Sequence, residues 1–169
     1  MIDQEAARRI YQNGMNNAQG RAFEECIKAA CEEYRRRGRA DIEKTPEPFR
    51  VTKKHGSGVF TGRFTALAQP DFEGTLDGGR SIVFEAKYTT TDHLKRSVLT
   101  NNQMDTLARR DKMGAVAAVC GGIRDKFYFV PWEIWRDMKE HFGRQYVTVE
   151  DLEPYRVRFA GAVMFLDRF

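Results

Sequence analysis

The chain is poor in cysteine: three in 169 residues, Cys26, Cys31 and Cys120, with no C-x-x-C spacing between them. That leaves no disulfide framework and no four-thiolate zinc site to build on. Cys26 and Cys31 fall on a helical apolar stripe and read as core thiols. The three histidines are scattered, so a zinc centre has no ligand spacing either. No apolar run approaches the ~20 residues that cross a bilayer, and the opening MIDQEAARRI has no apolar signal core. A cytoplasmic protein with no membrane partner is expected. Repeats, low-complexity tracts and linkers are lacking too, and no organic cofactor is implied. What remains is 41% apolar and 31% charged residues, the balance of a globular chain able to bury a core as a single domain over 1–169.

The net charge of +4 is modest, but it is unevenly spread. Between Arg35 and Arg63 nine basic residues (Arg35, Arg36, Arg37, Arg39, Lys44, Arg50, Lys53, Lys54, Arg63) face three acids, Asp41, Glu43 and Glu47. A local excess larger than that of the whole chain suits a polyanionic partner. A solvated face with no partner is the competing reading.

The stretch from Ala68 to Thr89, AQPDFEGTLDGGRSIVFEAKYT, carries the chemistry. Phe72 to Leu76 and Ser81 to Tyr88 read as two strands of a hairpin, with Gly78 and Gly79 supplying positive φ in its turn. Side chains alternate along a strand, so Val83, Glu85 and Lys87 share one face and Ile82, Phe84, Ala86 and Tyr88 the other. Asp71, at the mouth of the preceding strand, reaches the same spot as Glu85. Two carboxylates, with the Ala86 backbone carbonyl, suit Mg²⁺ or Mn²⁺, which takes few protein ligands and keeps several waters. Such an ion acts as a Lewis acid and acidifies water, the need of phosphodiester hydrolysis, and Lys87 would hold the attacking water or the phosphate. An ordinary surface ion pair, worth about 0–1 kcal/mol, is the alternative for Glu-x-Lys. The apolar setting, where an unpaired charge is costly, favours the site.

Pro70-Asp71 followed fourteen residues on by Glu85-x-Lys87 resembles the PD-(D/E)xK nuclease superfamily. Within it the chain is similar to the RecU-type Holliday-junction resolvases, in particular the shorter phage and prophage forms. The matching pieces come in order: Gly20-x-x-Phe23-Glu24, Glu43-Lys44-Thr45-Pro46-x-Pro48, Asp71-Phe72-x-Gly74, Phe84-Glu85-Ala86-Lys87, Gln103 and Gly114. The resemblance implies a restriction-endonuclease-like core and a metal-dependent endonuclease resolving four-way DNA junctions for recombination and repair. It implies a homodimer, since the junction is two-fold symmetric. It brings Glu24, from the first helix, towards the metal, with its neighbour Glu25 the other choice, and gives Gln103 the orienting of the water or a phosphate. The basic, Gly-rich stretch 53–63, KKHGSGVFTGR, reads as a projecting loop or short hairpin. The resemblance makes it a protrusion into the junction, with Lys53, Lys54, His55 and Arg63 on phosphates and Phe60 for stacking, and a surface turn with no role is the competing reading. Three other readings stand beside the resolvase one: a restriction-type or flap-processing nuclease of the same superfamily, a non-catalytic DNA-binding module, and a structural or partner-binding domain.

Taken in order, a short helix over 1–15 gives way at the Asn16-Asn17 N-cap to a long helix ending at Arg37 and Gly38. An extended entry through Glu43-Pro48 leads to a strand at Phe49–Thr52. After the hairpin come a helix over Thr100–Lys112, a buried strand over Gly114–Cys120, another over Lys126–Val130, and an aromatic helix opened by Pro131. Val157–Phe159 and Val163–Phe165 suggest a terminal pairing. The fold class that follows is α/β, a mixed central β-sheet flanked by helices.

Overall fold

The computed structural model describes residues 4–46, 49–64 and 69–167, with side chains for 18–46, 51–63 and 69–167. Helix α1, Gln4–Arg36, is followed by β1 (Ala40–Lys44), β2 (Phe49–Gly56), β3 (Val59–Phe64), β4 (Phe72–Leu76), β5 (Ser81–Thr89) and β6 (His93–Lys95). Then come α2 (Asn101–Lys112), β7 (Val116–Ile123), β8 (Lys126–Pro131), α3 (Trp132–Arg136), α4 (Met138–Phe142), β9 (Tyr146–Thr148) and α5 (Val149–Leu152). Two last strands, β10 (Arg156–Phe159) and β11 (Val163–Met164), complete the chain.

Seven strands form one sheet in the order β1-β4-β5-β7-β8-β10-β11. The β5–β7 pair is parallel and its neighbours are antiparallel, so the sheet is mixed as expected. The central hairpin has the expected strands, with Phe72 opposite Phe84 and Thr75 opposite Ser81. Gly78 and Gly79 turn it at φ 85° and 88°, values an L side chain resists. Both faces of the sheet are covered. On one, the α1 stripe of Phe23, Ile27, Ala30, Cys31 and Tyr34 packs on Ile82, Phe84, Ala86 and Phe165. On the other, Leu107 of α2 joins Val83, Val119, Trp132 and Trp135. β7 is buried along its whole length, which is why its sequence is almost wholly apolar.

Three differences from the sequence reading have physical causes. The two expected N-terminal helices are one: α1 runs through Asn16-Asn17, because an N-cap residue does not interrupt a helix unless the preceding turn unwinds. The edge strand beside β4 is β1, whose residues ADIEK carry just two buried apolar side chains and so gave little signal. The strand expected at 49–52 exists, but it pairs with β3 in a separate two-stranded sheet, which makes 49–64 a hairpin. The C-terminal pairing is as expected, with Phe159 opposite Val163. The aromatic helix is split into α3 and α4 at Asp137, and Trp132, Trp135 and Met138 are core.

Candidate active site

β4 begins at Phe72, opposite Phe84, so from Glu85 onward the β4 side of β5 has no strand beside it. Asp71 fills the gap. Its Oδ2 accepts the Ala86 N–H at 2.8 Å, and its own carbonyl accepts the Thr45 N–H at 2.9 Å, which ties it to the end of β1. A strand residue directs its N–H and C=O to the same neighbour, so the Ala86 carbonyl faces the same open edge as Asp71.

Glu85 projects from the opposite face to Ala86, beneath α2, and is fully buried. Gln103, in the first turn of α2, donates from Nε2 to Glu85 Oε2 at 2.6 Å. The Gln103 carbonyl oxygen accepts the Thr100 N–H at 3.0 Å, and Thr100 caps the helix in return. The amide is therefore held at both ends and presents its NH₂ to the carboxylate. Lys87 Nζ lies 3.5 Å from Glu85 Oε2 and 3.7 Å from Asp71 Oδ2, bridging the two acids. Burial, and after it the Asp71 carboxylate beside it, hold the Glu85 carboxyl well above the usual carboxylate range, against the pull of Lys87. Glu85 Oε1 is buried without a hydrogen-bond partner.

An orphaned carboxylate oxygen beside a second carboxylate and an open-edge carbonyl is a set of hard oxygen donors. Among the described residues no three His, Cys, Asp or Glu side chains gather into a metal cluster. Two carboxylates and a carbonyl fit a hard ion that keeps several of its waters, as Mg²⁺ or Mn²⁺ does.

The structure thus brings Asp71, Glu85, Lys87 and Gln103 together. It separates Glu24 from Glu25: Glu24 meets Lys44 of β1, while Glu25 is exposed and pairs with Lys28 at 2.6 Å. The basic stretch does not stay one patch. Arg35 is tied to Asp41 (2.7 Å) and Glu43 (2.9 Å), and Arg36 and Arg37 share Glu33. Lys53, Lys54 and Arg63 are exposed on the β2–β3 hairpin, where the His55 ring meets the Thr61 hydroxyl at 2.7 Å. The Arg50 side chain lies outside the described residues. Thr100 was missed by sequence reasoning, although Thr100-x-x-Gln103 has the spacing of a capping box.

The chain matches the model of the family described as Recombination protein U over residues 18–167. Comparison with curated proteins gave no match. Among solved structures it is similar to the 1.6 Å structure of Archaeoglobus fulgidus Hjc, a Holliday junction resolvase from an archaeal hyperthermophile. That likeness has 18% sequence identity and a TM-score of 0.48, and covers 79% of this chain and 92% of the other.

Proposed function

The chain belongs to the recombination protein U family, and from that membership we propose that Asp71, Glu85 and Lys87 form its nuclease site. The family comprises Holliday junction resolvases, so the chain is a metal-dependent nuclease acting on branched DNA. Asp71 and Glu85, with the Ala86 carbonyl, would hold Mg²⁺ or Mn²⁺. When bound, the ion supplies Lewis acidity at the phosphoryl oxygens and lowers the pKa of water. Lys87, already drawn between the two carboxylates, turns its ammonium to the attacking water or the scissile phosphate as a point charge. Gln103 is a positioning residue: it fixes Glu85 Oε2, so that Oε1 is the oxygen left for the ion. Glu24 orders Lys44 at the end of β1, next to the Thr45 tie to Asp71. Exposed Lys53, Lys54 and Arg63 supply phosphate contacts away from the cut.

The observation that carries this reading is the fully buried Glu85 with one unpartnered oxygen. Such a group costs stability in a purely structural role, at about 1–3 kcal/mol for an unmet hydrogen bond and more for a charge. It is accounted for if a cation completes it. The test is cleavage of a labelled four-way junction, matched linear duplex and single strand, in Mg²⁺ and in EDTA, beside Lys87→Ala. Nicks that need Mg²⁺, stay at the branch and disappear in the variant are expected. Equal cutting of duplex and junction would keep the site and remove the junction selectivity. No cutting in Mg²⁺ or Mn²⁺ by folded protein would leave a DNA-binding module.

A further inference from the structure

A groove of about 640 Å³ opens where the 3₁₀ turn Arg96–Val98, the start of α2 and β9 meet. Lys95 and Tyr146 are cross-strand partners in the β6–β9 ribbon, so the register sets a cation and an aromatic ring side by side. Thr100, Asn101 and Met104 of the α2 region line it as well, and Arg96 adds a second basic residue. Among the described residues no carboxylate lines the groove. The cleft of about 540 Å³ that holds Arg109 and Arg110 differs, since Glu73 sits within it, 3.0 Å from Arg110.

The cations around the groove are not equivalent. Arg136 is matched by Asp137 at 2.6 Å, and Arg144 by Asp151. Lys95 is exposed and, among the described residues, enters no ion pair. Tyr146 is 39% exposed although it belongs to a strand, and its ring is braced: the Arg144 guanidinium stands 4.8 Å from its centre and the His93 ring 5.1 Å. A braced, half-exposed aromatic next to an unmatched lysine is the pairing that nucleic-acid strands meet in sequence-tolerant grooves, a cation for the phosphate and a flat ring for the nucleoside. The groove also adjoins the candidate active site through two hydrogen bonds. The N–H of Thr100, which lines the groove, donates to Gln103 (3.0 Å), and Gln103 donates to Glu85 (2.6 Å).

We propose that this groove takes the substrate strand as it leaves the scissile phosphate. Lys95 contacts a backbone phosphate and Tyr146 packs on the adjoining sugar or base. The inference rests on the nuclease reading above and adds a second DNA contact, separate from the β2–β3 hairpin.

The test is equilibrium binding of a labelled four-way junction in EDTA across a salt series, with Mg²⁺ cleavage by the parent run in parallel. Lys95→Ala is expected to reduce the log–log salt slope by about 0.9, the loss of one phosphate contact. Tyr146→Ala is expected to weaken binding about tenfold, as loss of a base–aromatic contact does, while Tyr146→Phe stays within about twofold. Melting temperatures show that the variants fold; Lys95→Ala, on an exposed residue, carries the test if Tyr146→Ala does not. If the parent cuts the junction while Lys95→Ala keeps the parental slope and Tyr146→Ala the parental affinity, the groove proposal falls and the nuclease reading stands. If the parent neither binds nor cuts the junction, both fall.

Discussion

Burying the Glu85 carboxylate beside Asp71 makes it hold a proton more tightly than it would in the unfolded chain. The folded protein therefore binds more protons than the unfolded one once pH rises above the usual carboxylate range. The metal-free protein then loses stability as pH climbs from that range through the raised folded value. A neutral glutamine of the same shape removes this cost. In EDTA, Glu85→Gln should melt higher than the parent, by about 2–4 °C for each kcal/mol relieved. The carboxyl is pushed up to about 8 in the folded chain, so the gap should be widest above about pH 8 and close toward about pH 4. Mg²⁺ should raise the melting temperature of the parent and leave the variant unmoved, because a ligand that binds only the folded state stabilises it. The variant should not cut. Equal melting at both ends of the pH range would refute the buried-charge account. The residues of this site were legible to different depths. Asp71, Glu85 and Lys87 followed from the period of two along β5 and the Asp-Gly-Gly turn that sets its register. Gln103 came from family likeness alone, because its turn towards Glu85 depends on how α2 docks on β5. That Glu24 meets Lys44 while Glu25 faces solvent needed the docking of α1 on β1, since adjacent helical residues point about 100° apart.

At the scale of elements, the β1–β4 pairing shows what the sequence could not. Gly74 lies opposite Ile42, and a Cβ there would stand 2.0 Å from the Asp41 carbonyl oxygen and 2.6 Å from the Ile42 Cα. The Asp71-Phe72-x-Gly74 spacing was visible, but the reason for the glycine was not, because β1 carries too few apolar residues to announce itself as a strand. Gly74→Ala should push β1 off the sheet edge. Overpacking against backbone costs about 1–3 kcal/mol, or roughly 2–12 °C in melting temperature for a domain of this size. Thermal unfolding followed by circular dichroism measures it, and a shift under about 1 °C would mean that β1 is not seated as described. Because Thr45 at the end of β1 ties Asp71, the same substitution should lower cleavage more than it lowers junction binding. The basic stretch teaches the converse. A count along the chain finds nine cations together, yet the fold matches Arg35, Arg36 and Arg37 to acids on α1 and β1. Charge that looked concentrated in one dimension is dispersed in three, and Lys53, Lys54 and Arg63 of the hairpin remain exposed.

Over the whole molecule, the order of helices and strands pointed to a mixed sheet between helices, although the 49–52 strand in that order belongs to a separate hairpin and the edge strand β1 was not in it. What element order does not carry is how many copies act together. Each chain has one Asp71–Glu85 pair, whereas a four-way junction is two-fold symmetric and needs two cuts to be resolved. Paired, symmetric cutting therefore calls for two chains related by the same axis. Sedimentation at micromolar concentration should give twice the chain mass, alone or on the junction. A sharper test mixes parent and Lys87→Ala subunits by co-expression with distinguishable tags. With equal amounts, about a quarter of dimers carry two active sites and about half carry one. Dimers with one site should nick one strand and leave the junction unresolved, so full resolution should fall as the square of the parent fraction while nicked junction accumulates. Resolution falling in direct proportion to the parent fraction, from a species of single-chain mass, would show that each chain cuts alone.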